Sequence, residues 1–549
     1  MKLLIIGLDG ATLDIIEPLV KAGKLPTFAS FMKEGAWGKL KSTVLPVSPP
    51  AWTSFMTGKN PGKHGVFGFF TNLPRQYKTR LVTASDVKAK PFWEFFKPDQ
   101  RIGLVEVPMT YPPKPINGVM ISGMIVPSHL KIFTYPSSLH TELIRELGDY
   151  PIDRWLQEYI QKADPIEGLK ALYYYTSFRQ KAALYLIEKK GPFDFFMVVF
   201  RGTDFVQHYA FKFLDKDYTS KHPEEEDKFG EVIYQFYERM DVYIAELIQK
   251  VGKDCTVIIM SDHGGGPLKK YFYINRWLIK EGYLKLKKEA KKRQIKVRKR
   301  PLERVFKRLH LEHFLPASLK RVKLPLPCVV EYPPEELVDW ENTKAYANLV
   351  WTDGVIRINL KGREPYGCVN EKEYELFKDE IKEKLLSLVD PETGKPFIEA
   401  VYKREEIYHG PYVKDAPDLL IITKDIEYAF KIDLIEDKFL ETPTNPSPAT
   451  HRMDGIFFIK GPTVCEGREL NNLNITDIAP TALYLMGCEV PKDMDGRIIK
   501  EAIKEEYIKQ HPIVFSKKED QKEITAATTF SEEEIAEIEK ELKSLGYMG

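Results

Sequence analysis

Short, almost wholly apolar runs alternate along this chain with longer stretches that have helical periodicity. Three of these runs are Leu3–Leu8, Phe195–Phe200 and Thr256–Met260, and each fits a strand that is buried on both faces. Helical periodicity is clear over Leu169–Lys190 and Lys228–Val251, which lead into the second and third runs. Alternating strands and helices of this kind predict an α/β fold with a mostly parallel sheet.

We expect this core to be interrupted by two insertions. The core parts cover 1–85, 191–270 and 336–505, the insertions cover 86–190 and 271–335, and 506–549 forms a C-terminal tail. Further strands are predicted at Thr343–Asn359 and Asp418–Thr423, and further helices at Ile475–Gly487 and Phe530–Gly546.

The second insertion carries most of the charge imbalance of the chain. Lysine and arginine number 81 against 79 aspartate and glutamate, so the net charge of +2 does not indicate nucleic-acid binding. Within Lys285–Lys323, however, 16 basic residues face 3 acidic ones, which leaves the rest of the chain with a net charge of −11. This basic amphipathic segment fits a peripheral contact with an anionic membrane, and it also fits a solvated lid over the core.

The overall composition indicates a globular protein of a reducing compartment. The 549 residues include 31 Phe, 28 Tyr and 7 Trp, enough apolar area to exclude disorder of the whole chain. Five scattered cysteines without C-x-x-C spacing argue against a disulfide framework or a cysteine metal site. The N-terminal apolar run is too short for a signal peptide, and no apolar run reaches the roughly 18 residues of a spanning helix. The sequence therefore predicts a cytoplasmic protein.

An acidic residue follows each of the three apolar runs in a polar turn that contains glycine: Asp9, Asp204 and Asp262. Because ligands bind at the carboxyl ends of parallel strands, we expect these acids to meet at one edge of the sheet. Taken singly, an aspartate in such a position also fits a helix cap or a turn.

Three histidines extend this acidic set: His208 lies four residues after Asp204, His263 follows Asp262 directly, and His451 stands in the turn THRMDG. Carboxylates and imidazoles together suit Zn²⁺ or Mn²⁺. Six ligands are too many for one ion with an open position and suit two ions, which can clamp both oxygens of a displacement at phosphorus. Asp204 and His208 alone also fit a surface pair at i,i+4 spacing, and His451 alone fits a structural histidine.

A serine among prolines is the candidate nucleophile. In PVSPPAWTSFMTG, Ser48 precedes Pro49 and Pro50, which fit the first turn of a helix and place Ser48 at its N-terminus. The unpaired donors and the dipole of a helix N-terminus favour an anion, and a hydroxyl bound to a divalent cation can attack phosphorus. A simple N-cap is the alternative interpretation of Ser48.

Together these motifs resemble the alkaline phosphatase superfamily. Within it they are most similar to the type I phosphodiesterase/nucleotide pyrophosphatase branch and to predicted prokaryotic phosphohydrolases and phosphomutases. The resemblance runs from Asp9 to Arg497, omits the two insertions, and implies a three-layer α/β/α sandwich. The motifs are LDG, PVSPPAWTSFMTG, NPGKHG, TDFVQH, SDHGGG, THRMDG and NITDIAPTALYLMG followed by VPKDMDGR.

The resemblance also implies a role for each candidate residue, with two divalent cations as cofactors. Zinc is favoured over manganese. The implied ligand sets are Asp204, His208 and His451 for one cation, and Asp9, Asp262, His263 and the attacking Ser48 for the other.

Three positions refine the resemblance. Diesterase relatives usually carry an asparagine about five residues after the His-Gly pair, where this chain has Phe69, with Asn72 three residues further on. This departure argues against transferring nucleotide pyrophosphatase activity specifically. Trp52 occupies the arginine position of the sulfatase motif S-x-P-x-R, which argues against a sulfatase. His64, in NPGKHG, is interpreted as structural.

The function implied is hydrolysis of a small-molecule phosphate ester, with a diester favoured over a monoester and a covalent intermediate on Ser48. A phosphomutase or a phosphomonoesterase of the same superfamily is the alternative among enzymes. A non-catalytic protein that binds a membrane surface is the alternative outside them, and the complete ligand set argues against it. The substrate-binding residues and the oligomeric state stay open.

Overall fold

The three apolar runs of the sequence lie side by side in the middle of a nine-stranded sheet. Leu3–Leu8 pairs in parallel with Phe195–Phe200 on one side and with Thr256–Met260 on the other. Every residue of these strands is buried, as expected where helices cover both faces of a sheet. The predicted parallel core is confirmed, and the carboxyl ends of its central strands meet at one edge.

These elements belong to a computed structural model of the chain. It describes residues 1–549 except 125, 127–131, 152–155, 157–164, 289, 291–294, 302–322, 330–333, 350–353, 435–437, 444–448, 517–530, 532–533, 536–537 and 540–549. Among the helices that are described, none combines the length and the apolar character needed to cross a membrane. Most of 285–323 and of the tail helix predicted at 530–546 lies outside the described residues, so that helix and the membrane contact stay predictions.

Strands and helices are numbered in chain order. The strands are β1 Leu3–Leu8, β2 Ala36–Lys41, β3 Phe70–Asn72, β4 Thr79–Leu81, β5 Ile102–Val107, β6 Gly118–Ser122, β7 Thr134–Tyr135, β8 Phe195–Phe200, β9 Thr256–Met260, β10 Gly264–Pro267, β11 Lys270–Tyr273, β12 Ile295–Pro301, β13 Lys323–Val329, β14 Ala345–Ala347, β15 Val355–Ile358, β16 Ile398–Lys403, β17 Leu419–Thr423, β18 Tyr428–Lys431, β19 Leu440–Glu441, β20 Ala449–Arg452, β21 Asp454–Lys460, β22 Arg468–Asn474, β23 Val490–Pro491 and β24 Phe515–Ser516. The helices are α1 Leu13–Lys21, α2 Pro26–Glu34, α3 Ser48–Thr57, α4 Pro61–His64, α5 Ser138–Leu147, α6 Pro165–Lys189, α7 Gly202–Ala210, α8 Lys216–Thr219, α9 Pro223–Phe229, α10 Val232–Val251, α11 Ile274–Lys280, α12 Pro334–Leu337, α13 Glu371–Leu386, α14 Arg404–Ile407, α15 Ile478–Leu485 and α16 Glu505–Gln510. The central sheet has the order β22-β2-β21-β9-β1-β8-β5-β6-β7.

The side chains of β1 alternate between two apolar layers. Leu4 and Ile6 join the layer that contains α2, α6 and α10, whereas Leu3 and Ile5 join the layer that contains α3 and α15. Because successive residues of a strand point to opposite faces, one short strand anchors both layers. The arrangement is the predicted three-layer α/β/α sandwich.

The division into core and insertions differs from the prediction in two places. Segment 86–190 contributes β5, β6 and β7 to the central sheet instead of standing apart from it. Gly103 obscures β5 in the sequence pattern, and it is needed there because a Cβ would lie 2.3 Å from the ring of Phe196. The described residues of 268–440 form a second lobe with its own apolar core and the four-stranded sheet β14-β15-β17-β16, and the next strand of the central sheet among the described residues is β21.

Of four further predicted elements, two are divided in the structure and two are confirmed. The helix predicted at Lys228–Val251 is divided between the end of α9 and α10, with Gly230 between them. The strand predicted at Thr343–Asn359 is an antiparallel pair, β14 and β15, whereas the strand predicted at Asp418–Thr423 is confirmed as β17. The helix predicted at Ile475–Gly487 is confirmed as α15, preceded by one 3-10 turn that Asn474 caps.

Candidate metal centre and nucleophile

The three predicted acids lie next to one another at the carboxyl edge of the central sheet. Asp9 follows β1, Asp262 lies just after β9, and Asp204 lies in the first turn of α7 after β8. The hydroxyl of Thr203 donates to the backbone carbonyl of Asp9 over 2.6 Å, which fixes α7 against the end of β1. Parallel pairing thus gathers acids that are far apart in the chain into one buried group.

A short antiparallel ribbon brings His451 to the same edge. β10 begins directly after His263 and pairs with β20, so that Gly265 lies opposite His451. The imidazole rings of His263 and His451 stack with their centroids 3.7 Å apart. Gly265 leaves room for the side chain of Gln207 against this ribbon, because a Cβ there would lie 2.2 Å from Oε1 of Gln207.

Asp204, His208 and His451 form the first group of candidate ligands. Nε2 of His208 lies 3.2 Å from Oδ1 of Asp204 and 3.2 Å from Nε2 of His451. Nε2 of His451 lies 3.7 Å from the same Oδ1, and one ligand atom from each residue falls within 4.8 Å of the others. Ligands at about 2.0–2.2 Å from one tetrahedral cation have similar separations, so this group fits a divalent ion.

Asp9, Asp262 and His263 form the second group, and all three side chains are buried. Nε2 of His263 lies 3.4 Å from Oδ2 of Asp262 and 3.6 Å from Oδ1 of Asp9. Within the described part of the chain, none of these three atoms has a hydrogen-bond partner. Leaving a buried polar atom unpaired costs roughly 1–3 kcal/mol, so proteins normally avoid it. Asp9 and His263, together with Asp204, offer ligand atoms that lie within 4.8 Å of one another, so they fit a divalent cation. Oδ2 of Asp262 lies beside this trio, next to Nε2 of His263.

Backbone carbonyls determine which nitrogen of two histidines can bind a cation. Nδ1 of His263 donates to the carbonyl of Gly264 over 3.0 Å, and Nδ1 of His451 donates to the carbonyl of Pro46 over 2.6 Å. A carbonyl only accepts, so both rings carry their proton on Nδ1. The Nε2 lone pair of His263 is therefore left for a ligand, whereas Nε2 of His451 faces Nε2 of His208 at 3.2 Å. Histidines that bind metals commonly donate their other ring N–H in this way.

Each of the two carboxylates in the second group also has one oxygen bonded within the protein and one oxygen left over. The backbone N–H of Gly10 donates to Oδ1 of Asp262 over 3.2 Å, and the indole N–H of Trp52 donates to Oδ2 of Asp9 over 3.3 Å. Each carboxylate uses one oxygen for the protein and presents the other to His263. Donors of this kind orient the ligands of metal sites.

Burial and mutual repulsion shift the pKa values of the cluster. Burial, with the charge of Asp204, raises the pKa of Asp9 to about 7. Burial, with the charge of Asp9, also raises the pKa of Asp262 well above its usual value. Burial acts in the same direction on Asp204, but His208 outweighs it and lowers the pKa of that carboxyl. Burial lowers the pKa of His263 to about 4, which keeps its imidazole neutral. Carboxylates this close together need positive charge beside them to stay ionised.

Ser48 is the first residue of α3, and its side chain is buried. The cap position belongs to Val47, so Ser48 is not the simple N-cap of the alternative interpretation. Pro49 and Pro50 fill the next two positions and have no N–H groups, so the first turn lacks the full row of donors that the sequence argument assumed. What this terminus offers an anion is mainly the helix dipole.

Both flanks of Ser48 are attached to candidate ligands. Pro46, two residues before it, accepts the hydrogen bond from His451. Trp52, one helical turn after it, donates to Asp9. These contacts hold the start of α3 against the two groups of candidate ligands. We call these groups together the metal-ligand cluster; its members are Asp9, Asp204, His208, Asp262, His263 and His451.

His64 has the geometry of a structural histidine. Its Nδ1 accepts the backbone N–H of Val66 over 3.2 Å, so the proton is on Nε2, which donates to Oγ of Ser54 over 2.9 Å. Burial lowers the pKa of His64 to about 3, so the ring is neutral. A ring with its lone pair used by the backbone and its N–H directed at Ser54 is not a base for that serine.

The residue at the asparagine position of diesterase relatives lies in the core. Phe69 is fully buried in the layer that contains α2, α6 and α10. Asn72, in β3, lines a cavity together with Tyr77 and Arg357 of the second lobe. Phe69 therefore contributes packing where those relatives have a polar side chain.

Two buried polar residues beside the candidate ligands are not among those predicted from the sequence. Nε of Arg201 lies 3.8 Å from Oδ2 of Asp9, and the amide of Gln207 donates to the backbone carbonyl of Gly10 over 2.7 Å. These residues stand three positions before and three positions after Asp204. Helical spacing from a candidate ligand is the signal that points to them.

Known proteins resemble this chain in sequence family and in fold. The model of the type I phosphodiesterase / nucleotide pyrophosphatase family matches residues 3–444. A search of curated proteins gives no match. Among solved structures, phosphonoacetate hydrolase from Sinorhizobium meliloti 1021 in complex with phosphonoformate is 15% identical, with a TM-score of 0.51 over 89% of this chain and 95% of that one.

Two further solved structures are similar at lower TM-scores. Murine ectonucleotide pyrophosphatase / phosphodiesterase 5 is 14% identical, with a TM-score of 0.47 over 92% of this chain and 100% of that one. A mutant of the alkaline phosphatase PafA is 13% identical, with a TM-score of 0.49 over 91% of this chain and 98% of that one. The family match covers most of the chain, and the likeness to the hydrolase concerns the fold alone. The chain therefore shares the fold of the phosphonoacetate hydrolase, belongs to the type I phosphodiesterase / nucleotide pyrophosphatase family and is a phosphoester hydrolase.

Proposed function

We propose that this protein hydrolyses a small-molecule phosphodiester with the help of two divalent cations and through a covalent intermediate on Ser48. The observation that carries this proposal is the set of three buried atoms, Oδ1 of Asp9, Oδ2 of Asp262 and Nε2 of His263, that have no hydrogen-bond partner among the described residues. A fold that leaves such atoms unpaired loses stability, so their convergence indicates selection for a ligand.

The ligand sets proposed follow the two groups of the cluster. One cation is assigned to Asp204, His208 and His451, and the other to Asp9, Asp262 and His263 with the hydroxyl of Ser48. Three imidazoles among six protein side chains favour zinc over manganese, because imidazole is a better ligand for zinc. Divalent cations bound there would lower the pKa of a serine hydroxyl and of water and would neutralise charge on the phosphate oxygens.

In the first step, Ser48 gives its proton to solvent and its Oγ attacks phosphorus, a bond forms between Oγ and phosphorus, and the bond to the leaving oxygen breaks, with that oxygen taking up a proton from solvent. In the second step, water attacks the same phosphorus and leaves its OH there, the bond to Oγ breaks, and Oγ takes up the other proton of that water. The dipole of α3 favours negative charge near Ser48 in both steps. His64 takes no part, since its proton and lone pair are both used within the fold.

Charge balance favours a diester over a monoester. Asp9, Asp204 and Asp262, when ionised, and the Ser48 alkoxide would contribute four negative charges. Two divalent cations and the buried guanidinium of Arg201 beside Asp9 would contribute five positive ones, which leaves one positive charge in excess. A phosphodiester carries one negative charge and matches that excess, whereas a monoester dianion exceeds it. The description of the matching family agrees with this preference.

The test joins chelation to a substrate panel. The protein is dialysed against a chelator and then assayed with bis-p-nitrophenyl phosphate, p-nitrophenyl phosphate and nucleotides, before and after zinc or manganese is restored. We expect turnover to disappear on chelation and to return with metal, with the diester turned over faster than the monoester. Full diester turnover in the metal-free protein would contradict the proposal.

A further inference from the structure

A hydrogen bond joins the indole of Trp52 to Asp9, one of the candidate ligands in the metal-ligand cluster. Trp52 is fully buried, and its Nε1–H donates to Oδ2 of Asp9 over 3.3 Å. The other oxygen of Asp9, Oδ1, has no hydrogen-bond partner within the described chain and lies 3.6 Å from Nε2 of His263. Oδ2 therefore receives the hydrogen bond of the indole, with Nε of Arg201 a further 3.8 Å away, whereas Oδ1 is left to face His263.

Packing fixes the indole in this position. Gly7, two residues before Asp9 on β1, leaves room for the ring, because a Cβ there would lie 2.6 Å from Cη2 of Trp52. On its other side the ring meets Phe55 edge to face, with the centroids 5.4 Å apart. A side chain confined between a strand and its own helix cannot follow a movement of the carboxylate, so the carboxylate must conform to the indole.

The same helix carries Ser48. Ser48 and Trp52 are four residues apart in α3 and therefore lie one above the other on one face of that helix. The hydrogen bond from Trp52 to Asp9 consequently ties the end of β1 to the start of α3. A shift of α3 would move the candidate nucleophile and release the carboxylate together.

We propose that Trp52 is a positioning residue, whose indole N–H holds Oδ2 of Asp9 so that Oδ1 is presented to the cation beside Ser48. This inference rests on the proposed function and concerns how one of its two cation sites is built. The indole is a neutral donor, so it orients the carboxylate and leaves its negative charge to the cation. Nε of Arg201 lies 3.8 Å from the same oxygen, beyond hydrogen-bond distance, so its charge acts on the carboxylate without fixing the orientation that the indole N–H sets.

The test compares metal affinity in two tryptophan variants. Trp52→Phe removes the N–H and keeps an aromatic ring. Trp93→Phe is the matched control, since Trp93 is buried in the same apolar layer, packs against Phe92 and lies on a different segment. Zinc dissociation constants are measured by competition with a chromophoric chelator, with no substrate present, and the visible spectrum of the cobalt-substituted protein reports the ligand geometry.

We expect Trp52→Phe to weaken one of the two zinc sites by about 10–100-fold and to change one cobalt spectrum, because outer partners of metal ligands typically have effects of this size. The control should leave both affinities at the wild-type value. Wild-type affinity at both sites in Trp52→Phe, or an equal loss in Trp93→Phe, would overturn the inference. A wild-type protein that binds no zinc would instead contradict the proposed function itself.

A second variant covers the case in which Trp52→Phe does not fold. Replacement of Trp52 by its sulfur isostere, benzothienylalanine, keeps the size and shape of the ring and deletes only the N–H donor. The same 10–100-fold weakening of one site is expected. Unchanged zinc affinity in this isosteric protein would show that the ring volume, and not the hydrogen bond, is what Asp9 requires.

Discussion

The buried aspartates of two regions of this protein differ in how many hydrogen-bond donors reach their carboxylate oxygens. In the second lobe, Arg363 donates to both oxygens of Asp418 over 2.8 and 2.7 Å, and the backbone N–H of Ile358 adds a bond of 2.7 Å. At the edge of the central sheet, Asp9 and Asp262 each keep one oxygen that has no partner in the described structure. Burial raises the pKa of Asp418, but Arg363 outweighs it and lowers that pKa to about 2, whereas the pKa of Asp9 is raised to about 7.

The difference separates a structural acid from a functional one. Asp418 is ionised and paired within the chain, so it stabilises the second lobe without needing anything from outside. Asp9 and Asp262 are buried and each keeps one oxygen without a partner among the described residues, which supports our proposal that a cation completes their environment. Burial alone does not tell the two apart; the number of unused atoms does.

The largest effect should come from the candidate nucleophile. Ser48→Ala is expected to lower kcat for a phosphodiester by at least about 10³-fold, because removing a nucleophile leaves only the residual rate of binding and electrostatics. Zinc content should stay near the wild-type value. The matched control is Ser54→Ala on the same helix, which loses its bond to His64 and should lower stability while keeping most of the turnover. If Ser48→Ala retains more than about a tenth of the rate, another group is the nucleophile.

The paired acid of the second lobe should matter for stability alone. Arg363→Met removes the main partner of Asp418 and is expected to lower the free energy of unfolding by about 3 kcal/mol, because it leaves a buried carboxylate with Arg404 as its remaining guanidinium partner. Urea unfolding measures the loss, and metal analysis of the same sample should still find the wild-type zinc content. A loss of zinc in this variant would remove the distinction between the two groups.

His451 tests whether the two cation sites are separate. His451→Ala is expected to reduce bound zinc from about two toward one per chain, since the three ligand atoms of the first group lie within 4.8 Å of one another and each is needed. Phosphorylated Ser48 should then accumulate and be detected by mass spectrometry. His409→Ala is the control, because His409 is exposed and bonded to Asp495, away from the cluster. Two equivalents of zinc and unchanged kinetics in His451→Ala would refute the assignment.

The smallest expected effect is an increase in stability. In the metal-free protein, Asp262→Asn should raise the free energy of unfolding by about 1 kcal/mol. The amide oxygen can keep the bond from Gly10, and the amide NH₂ then stands 3.4 Å from the Nε2 lone pair of His263, where the carboxylate had an unpaired oxygen. Thermal melts of chelated wild type and variant check this. A less stable variant would show that the carboxylate is satisfied without a cation.

Much of the site followed from local sequence patterns. Asp9, Asp204 and Asp262 were found because each follows an apolar strand, and parallel pairing then places them together whatever lies between them in the chain. His451 was found by its motif, but its position depends on the ribbon of β10 and β20, which no local periodicity predicts. Long-range pairing of that kind is decided by tertiary packing.

What the sequence did not yield is the set of donors around the ligands. The hydrogen bonds from Trp52 to Asp9 and from Gly10 to Asp262 join residues 43 and 252 positions apart. The second lobe differs from the prediction for a similar reason, because β15 pairs with β17 across the intervening α13, β16 and α14. Contacts of this separation leave no periodic trace in the chain.

The central claim is that the unused atoms of the cluster are metal ligands. The direct measurement is the number of zinc ions per chain, by plasma mass spectrometry, in wild type and in Asp262→Asn after both have been loaded with zinc and dialysed. The account predicts about two ions in wild type and about one in the variant, with the loss confined to the group of Asp9, Asp262 and His263. Wild type without bound metal, or a variant that keeps both ions, would contradict it.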